Sequence, residues 1–316
     1  MVHKLQGLGI LGKEAKWFHS YLTGGKQRVR WDGEYSDYIS VRFGVRQGSI
    51  LGPLLFLTLI HDLPEAINAS PEETAGYADN VSLWCAGDNV EEVKALLEEK
   101  AAALVEYASK NFLVLNPEKT QLMWSSGSST KVRVGDTLME PSSEIELQGV
   151  KFGAGLTLNP HLKSVAKNAR MISGIVARLA RHIPRGSYLQ QLARGLLIGK
   201  VGYAVGAVAS PRFGDADAPK VTKESKAIQT AINDTARTIL GARRTDRIRV
   251  EDLLARSGLP AYNHLVIRSI AMETWKALNI CDGPNGSHNP IGCMLRNEGT
   301  RSKHTRRVES GKLPPP

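Results

Sequence analysis

Residues 44–57 read GVRQGSILGPLLFL, a polar loop bracketed by glycines that runs directly into an apolar segment. Pro53 stands where the first turn of a helix accepts proline, because that position needs no backbone N–H donor. The apolar residues that follow predict a buried helix from Leu54 to Ile67. Strand-like segments flank this stretch on both sides, so the first half of the chain is predicted to be α+β.

A predicted hairpin follows about 25 residues after this loop, where residues 77–80 read YADN. Two strand-like stretches, residues 73–78 and 81–85, flank Asp79 and Asn80, and both of these residue types favour turns. The tip of such a hairpin is a rigid place for carboxylates. Taken alone, Asp79-Asn80 is also compatible with a plain turn that does no chemistry.

The segment before the loop predicts a helix and then a second hairpin. Four side chains at helical spacing are expected to be core rather than base-stacking residues. They are Trp17, Phe18, Tyr21 and Leu22. The dipeptide Asp32-Gly33 lies between two stretches rich in β-branched and aromatic residues, which is a strong signal for a two-residue hairpin turn.

Downstream, the chain changes from mixed to helical character. Asp88 with Glu91 three residues later predicts a capped helix, and short strand pieces are predicted near residues 132–134 and 145–152. Basic amphipathic helices are predicted at about 161–182, 188–209, 222–240 and 261–278. Four parts follow from this pattern: an α+β part at 1–130, a strand-rich connector at 131–160, a basic all-helical region at 161–280 and a disordered tail at 281–316.

The net charge of +10 is unevenly distributed. Residues 1–130 carry 12 Lys/Arg and 16 Asp/Glu, whereas residues 161–260 carry 18 and 7, a net of +11. This basic half indicates a polyanion partner, although a solvated helical surface has the same pattern. One cluster has spacings that allow a shared helix face: Lys163, Lys167, Arg170, Arg178, Arg181 and Arg185. A second cluster comprises Arg243, Arg244, Arg247 and Arg249.

Two classes of protein are disfavoured by composition. The three cysteines are far apart, which argues against a zinc knuckle. No apolar run reaches membrane-spanning length, so we expect an intracellular, soluble protein with no membrane partner. The sequence does not distinguish a nuclear from a cytoplasmic location.

The order and spacing of these motifs closely resemble the palm of reverse transcriptases of non-LTR retrotransposons of the jockey-like type. The loop at 44–57, the YADN tetrapeptide and LNPEKT at 115–120 carry the resemblance. The aromatic helix upstream and LNPHL at 158–162, before the basic helices, fit the same family. The resemblance covers about residues 5–280 and implies a partial polymerase palm of antiparallel strands and helices, followed by a basic, thumb-like helical region.

The resemblance implies RNA-directed DNA polymerisation that uses deoxynucleotides and Mg²⁺ on an RNA or RNA–DNA duplex. Asp79 and Asn80 then occupy the catalytic metal-site positions, with Asp79 as the metal ligand. Lys119 matches a lysine that protonates or pairs with the pyrophosphate leaving group, although a merely solvated lysine is an open alternative. The first basic cluster would contact the nucleic-acid backbone.

A second group of residues is implied to lie at the nucleotide and template. Gln47 and Gly48 match a loop beside the templating base and the incoming nucleotide, and glycine there lets the backbone approach the ligand closely. Tyr77 would support the hairpin near the primer end. A simple helix-entry loop remains the alternative for Gln47-Gly48.

The sequence departs from the family pattern at the metal site. The usual motif is Tyr-Ala-Asp-Asp, and Asn80 offers a neutral ligand that holds a hard cation less well. Residues 1–13 correspond to the segment just after the family's first catalytic aspartate, so N-terminal truncation is expected. We therefore expect no tight Mg²⁺ binding and no polymerase turnover. The alternatives are a non-catalytic nucleic-acid-binding module and a decayed element fragment with no selected function.

Truncation would also affect stability. A missing strand would leave a sheet edge unpaired, so residues 1–120 are expected to fold poorly in isolation. Five apolar side chains after the loop would then be partly exposed to water. They are Leu54, Leu55, Phe56, Leu57 and Leu59.

Overall fold

The structure is a computed structural model that describes residues 1–41, 44, 48–70, 73–210 and 221–279. The chain divides into two compact units, residues 1–156 and 157–316. The first unit combines helices with small antiparallel strand pairs, and the described part of the second unit is helical. The described residues of the two units together contain both helices and antiparallel strands, so the chain is α+β. The predicted tail at 281–316 lies outside the described residues.

The described part of the first unit contains five α-helices. They are α1 (Val2–Gly7), α2 (Gly12–Leu22), α3 (Gly52–Ile60), α4 (Leu63–Ala66) and α5 (Val90–Lys110). The predicted helix from Leu54 to Ile67 is therefore wrong in its length, since it is divided between Ile60 and Leu63. Pro64 lies in the first turn of α4, where it begins a new helix more readily than it continues an old one.

The cap of α5 also differs from the prediction. Asn89, rather than Asp88, is the N-cap, and its side-chain oxygen accepts a hydrogen bond from the amide of Glu91 at 3.0 Å. Asn and Asp cap helices equally well, so the sequence signal was correct in kind and displaced by one residue.

Five antiparallel strand pairs complete the described part of this unit. The pairs are β1 (Lys26–Gln27) with β4 (Ile39–Ser40), β2 (Arg30–Trp31) with β3 (Glu34–Tyr35), β5 (Thr74–Tyr77) with β6 (Asn80–Leu83), β7 (Val132–Val134) with β8 (Thr137–Met139), and β9 (Glu144–Leu147) with β10 (Val150–Gly153). The predicted Asp32-Gly33 turn is confirmed. Both residues have positive φ, 46° and 89°, as the favoured two-residue hairpin turn requires.

The core of the first unit is small. Leu63, Ile67 and Tyr107 are buried together, and partly buried side chains such as Val81 and Leu83 of the hairpin strand β6 pack on them. This cluster therefore packs against strand β6 of the hairpin. Large apolar side chains elsewhere in the unit are exposed. Trp17 was expected in the core but is 54 % exposed, and Ala15 is the buried residue of α2.

The five apolar residues after the loop do not share one environment. Leu54 and Leu57 are 60 % and 52 % exposed, as expected. Leu55 is buried, so the expectation of partial exposure is wrong for it. Phe56 and Leu59 are half-buried. One face of α3 thus has its partners within the unit, while the other presents leucines to solvent.

Seven α-helices form the described part of the second unit. They are α6 (Asn159–Leu179), α7 (Ser187–Ala193), α8 (Gly199–Gly202), α9 (Val205–Val208), α10 (Lys223–Leu240), α11 (Val250–Ser257) and α12 (Tyr262–Asn279). The helix predicted at 188–209 is interrupted at Ala204, which has a left-handed conformation (φ 53°). Before that point it is continuous and contains a π-helical turn at 194–198. Helix α11 was not predicted.

The core of the second unit is larger and lies around α10. Helices α6 and α10 pack side by side through fully buried residues such as Ala169, Val176, Ile228 and Ile232. At this seam the Thr235 hydroxyl lies 3.0 Å from the Ser173 hydroxyl, which satisfies both buried groups. Within the described residues, no helix is long and apolar enough to cross a membrane.

Candidate functional site

The hairpin of β5 and β6 carries the tetrapeptide at residues 77–80. Tyr77 pairs with Asn80 and Gly76 with Val81, so the two-residue turn consists of Ala78 and Asp79. Ala78 has φ 51°, the left-handed conformation that such a turn imposes. The predicted hairpin is confirmed, but Asn80 belongs to the strand rather than to the turn.

The tip of this hairpin is open to solvent. Tyr77, Asp79 and Asn80 are all exposed. Because Tyr77 and Asn80 are directly opposite in the ladder, their side chains lie on the same face of the hairpin. Asp79 supplies the only carboxylate within residues 74–83, and no group of three His, Cys, Asp or Glu suited to a metal occurs among the described residues.

The base of the hairpin is fixed by a charged pair. Lys100 of α5 is buried, and its Nζ lies 2.8 Å from the carboxylate of Glu73, the residue before β5. The hydrogen bond from Lys100, together with one from the Ser70 amide, lowers the pKa of Glu73. The Glu73 carbonyl also accepts from the Trp84 amide at 3.0 Å, which closes the strand pair. No motif in the sequence points to Glu73 or Lys100.

A second polar network lies beside the core of this unit. Lys4 Nζ contacts a carboxylate oxygen of Asp62 at 2.7 Å and the carbonyl of Leu59 at 2.6 Å. The Tyr107 hydroxyl donates to the same carboxylate oxygen at 2.5 Å. Burial opposes ionisation of Asp62, yet the hydrogen bonds from Lys4 and Tyr107 lower its pKa overall. Asp62 is therefore occupied in holding α1, α4 and α5 together.

The loop at 44–57 contributes Gly48 to the predicted nucleotide site. Gly48 is exposed and has φ 78°, a conformation that glycine adopts without strain. The next residue, Ser49, is joined to α2, since its hydroxyl lies 2.5 Å from that of Tyr21. Tyr21 in turn stacks on Trp17, with ring centroids 5.4 Å apart. Gln47 lies outside the described residues.

Lys119 lies in a tight turn after α5. The Asn116 side-chain oxygen accepts hydrogen bonds from the amides of Glu118 and Lys119, at 3.0 and 3.3 Å. The Lys119 side chain is exposed. Among the described residues, no hydrogen bond or ion pair joins it to Asp79 or Asn80. Strand pairing thus fixes the hairpin tip, but no contact among the described residues links Lys119 to it.

Residues 2–152 match the family described as reverse transcriptase (RNA-dependent DNA polymerase). This match spans the loop at 44–57, the hairpin tip and the turn at Lys119. Residues 2–152 are thus similar to a reverse transcriptase domain. The chain is 29 % identical over 177 residues to a probable RNA-directed DNA polymerase from transposon BS of Drosophila melanogaster, covering 50 % of this chain and 20 % of that protein.

Two further relatives are proteins of mobile elements. A retrovirus-related Pol polyprotein from type-1 retrotransposable element R1 2 of Nasonia vitripennis is 25 % identical over 48 % of this chain and 42 % of its own length. The RNA-directed DNA polymerase from mobile element jockey of Drosophila funebris is 27 % identical over 48 % of this chain and 17 % of its own length. The chain thus spans less than half of each relative. No solved structure matches it.

These comparisons confirm the resemblance to reverse transcriptases of non-LTR retrotransposons, including the jockey type. The reverse transcriptase segment ends at residue 152, within the first unit, so the basic helices lie beyond it. On α6 the predicted backbone contacts Lys163, Lys167, Arg170 and Arg178 are exposed. Arg181 and Arg185 are exposed as well, but α6 ends at Leu179. The shared helix face predicted for all six residues is therefore wrong, since these two arginines lie in the connection to α7.

Proposed function

We propose that this chain is the nucleic-acid-binding part of a non-LTR retrotransposon reverse transcriptase, and that by itself it binds an RNA or RNA–DNA duplex without polymerising DNA. Residues 1–130 would form the palm, 131–160 the connector and 161–280 the thumb. The observation that carries this proposal is the hairpin tip, where Asp79 is followed by Asn80 instead of a second carboxylate.

The donor set at this tip does not fit a two-metal centre. Polymerisation by two divalent ions about 4 Å apart requires several anionic oxygens to hold both ions. Mg²⁺ selects charged oxygen ligands, and the neutral amide oxygen of Asn80 attracts it less than a carboxylate would. The hairpin thus offers one anionic ligand, Asp79. We propose no catalytic step through a metal held by this chain.

The other positions of the family site would serve substrate binding. Gly48, with Gln47 before it, would lie beside the templating base and a deoxynucleotide, and Tyr77 beside the primer end. Lys119 is exposed and carries the charge needed to pair with a nucleotide phosphate. The link between Ser49 and Tyr21 supports this part of the proposal, because it fixes the loop against α2.

Duplex binding is assigned to the second unit by charge. Residues 161–260 carry 18 basic and 7 acidic side chains, and the exposed ones on α6 can neutralise backbone phosphates without reading bases. Binding and metal chemistry would then use different parts of the chain, which makes the two separable by mutation.

Primer extension tests this proposal. The full chain is incubated with an RNA template, a labelled DNA primer, deoxynucleotides and Mg²⁺ or Mn²⁺, and duplex binding is measured in parallel. We expect binding without extension, both in the wild type and in Asp79→Ala. Extension by the wild type that Asp79→Ala abolishes would show that the chain is a polymerase. Absence of duplex binding at low salt would reject the binding assignment.

A further inference from the structure

A groove of about 780 Å³ lies on the second unit between α6 and α10, where the C-terminal halves of the two helices face each other. Its walls are rich in arginine. The arginines that line it are Arg170, Arg181, Arg185, Arg237, Arg243 and Arg244, and among the described residues the only acidic one in the lining is Asp234. The structure thus brings together arginines from both clusters of the sequence, which are more than 50 residues apart.

Two of these guanidinium groups are hydrogen-bonded within the protein, and a third packs against the backbone. Arg244 pairs with Asp234 at 2.6 Å, which satisfies the one acidic group in the groove. Arg237 donates to the backbone carbonyl of Arg243 at 3.0 Å and so fixes the loop after α10. Arg185 packs over Gly241, in the space that a side chain at that position would fill.

Among the described residues, the other arginines of the groove have no ion-pair partner. Within the described residues, Arg170, Arg181 and Arg185 form no ion pair, and no carboxylate other than that of Asp234 lines the groove. Arginine presents several N–H donors in a fixed plane that matches the geometry of phosphate oxygens. Such an excess of guanidinium groups around a concavity is suited to more than one phosphate.

The floor of the groove is made of small side chains. Ser173, Gly174, Ala177 and Ala180 line it, and a Cβ atom added at Gly174 would meet no other atom within 4 Å. A ligand can therefore approach the helix backbones closely. The part of the lining that the structure describes contains no aromatic side chain, so it offers no surface on which a base could stack.

We propose that this arginine groove binds consecutive phosphates of one nucleic-acid strand, independently of base sequence. The proposal rests on the proposed function and deepens it by naming the contact surface. It replaces the helix face inferred from the sequence with a site built from two parts of the chain: Arg170, Arg181 and Arg185 come from α6 and the residues after it, and Arg243 follows α10. Arg178 does not line the groove, although its neighbours do.

A purely structural explanation of the arginines makes a different prediction. Helices α6 and α10 end at Leu179 and Leu240, so both direct C-terminal carbonyls towards this region, and cations there stabilise helix ends. If that were the whole reason for the cluster, a carboxylate added to the groove would affect nucleic-acid binding no more than one added elsewhere.

The test is a matched pair of substitutions in the full chain. Ala177 is exposed in the groove, and Ala255 is exposed on α11 outside it. Ala177→Glu and Ala255→Glu make the same change in charge and both place a good helix former on a helix. Binding of a fluorescein-labelled RNA–DNA duplex is followed by anisotropy at 100 mM NaCl, and thermal unfolding verifies that each variant folds.

We expect Ala177→Glu to weaken binding about tenfold or more, since it places a carboxylate among the phosphate contacts, and Ala255→Glu to change it less than about twofold. Arg181→Lys/Arg185→Lys, which keeps both charges, is expected to bind better than Arg181→Ala/Arg185→Ala. Equal effects of the two glutamates, with wild-type binding intact, would overturn the groove and leave the proposed function standing. No binding by the wild type would overturn both.

Discussion

The Tyr107 hydroxyl and the Asp62 carboxylate are 2.5 Å apart, and Lys4 reaches the same carboxylate oxygen at 2.7 Å. This contact joins helices from three distant parts of the first unit, with Tyr107 on α5 and Asp62 at the N-cap of α4. Its role is structural, since the Tyr107 hydroxyl and the Asp62 carboxylate are hydrogen-bonded to each other and link these helices.

Removal of the Tyr107 hydroxyl is the first change to test. A hydrogen bond to a charged group contributes more than one between neutral groups, so Tyr107→Phe should lower the free energy of unfolding by roughly 1–3 kcal/mol. Tyr188→Phe is the control, because Tyr188 is 71 % exposed. Urea unfolding followed by circular dichroism measures both. Equal stability of the two variants would mean that the network does not hold the helices.

The same network predicts how stability changes in acid. The folded pKa of Asp62 is below its unfolded value, so its contribution is present above the unfolded pKa of about 4 and is lost as pH falls through the folded pKa. Asp62→Asn should remove that part of the acid dependence. Thermal unfolding between pH 2 and 6 measures it, and the contribution is disproved if wild type and variant lose stability in parallel.

The ion pair at the base of the hairpin predicts an asymmetry between its two partners. Glu73→Gln leaves Lys100 buried without an opposite charge, whereas Lys100→Met replaces the charge with an apolar side chain of similar length. We therefore expect Glu73→Gln to lower the melting temperature more than Lys100→Met does. The reverse order would indicate that Lys100 reaches solvent and that the pair does not secure β5–β6.

Metal affinity at the hairpin tip should respond to position 80. We expect the wild type to bind Mn²⁺ weakly at Asp79, and Asn80→Asp to bind it more tightly because a second carboxylate is added beside the first. Paramagnetic broadening of resonances near Asp79 during a Mn²⁺ titration reports this. Tight binding of two ions per wild-type chain at micromolar metal would refute the proposal that Asn80 weakens metal binding.

Local signals in the sequence predicted local structure well. The Asp32-Gly33 turn and the hairpin around Asp79 were predicted because turn residues and strand formers lie within a few positions of one another. The predicted helix boundaries were less accurate. The cap of α5 was displaced by one residue, and the helix after the loop was predicted as unbroken. At the cap, two neighbouring residues of similar chemistry compete, and after the loop Pro64 begins a new helix.

Features that depend on distant residues were not predictable. Nothing near Lys4 in the sequence indicates Asp62 or Tyr107, and nothing near Arg181 indicates Arg243. Helical spacing alone placed Arg178 and Arg181 together, whereas the structure ends the helix between them and turns Arg181 into the groove. The site residues Gly48, Tyr77, Asp79, Asn80 and Lys119 were all named from their motif. Their roles in catalysis or binding remain predictions.

The separation of binding from chemistry is tested most directly by anisotropy of a labelled RNA–DNA duplex titrated with the full chain across a salt series. If about four to six phosphates are neutralised, the logarithm of the affinity should fall with the logarithm of the salt concentration at a slope of roughly −3 to −5. Arg178→Ala/Arg181→Ala should weaken binding to all sequences alike and flatten that slope by about one to two units. Asp79→Ala should bind as the wild type does. Affinity that is independent of salt, or that is lost in Asp79→Ala and unchanged in the arginine variant, would contradict the assignment of binding to the second unit.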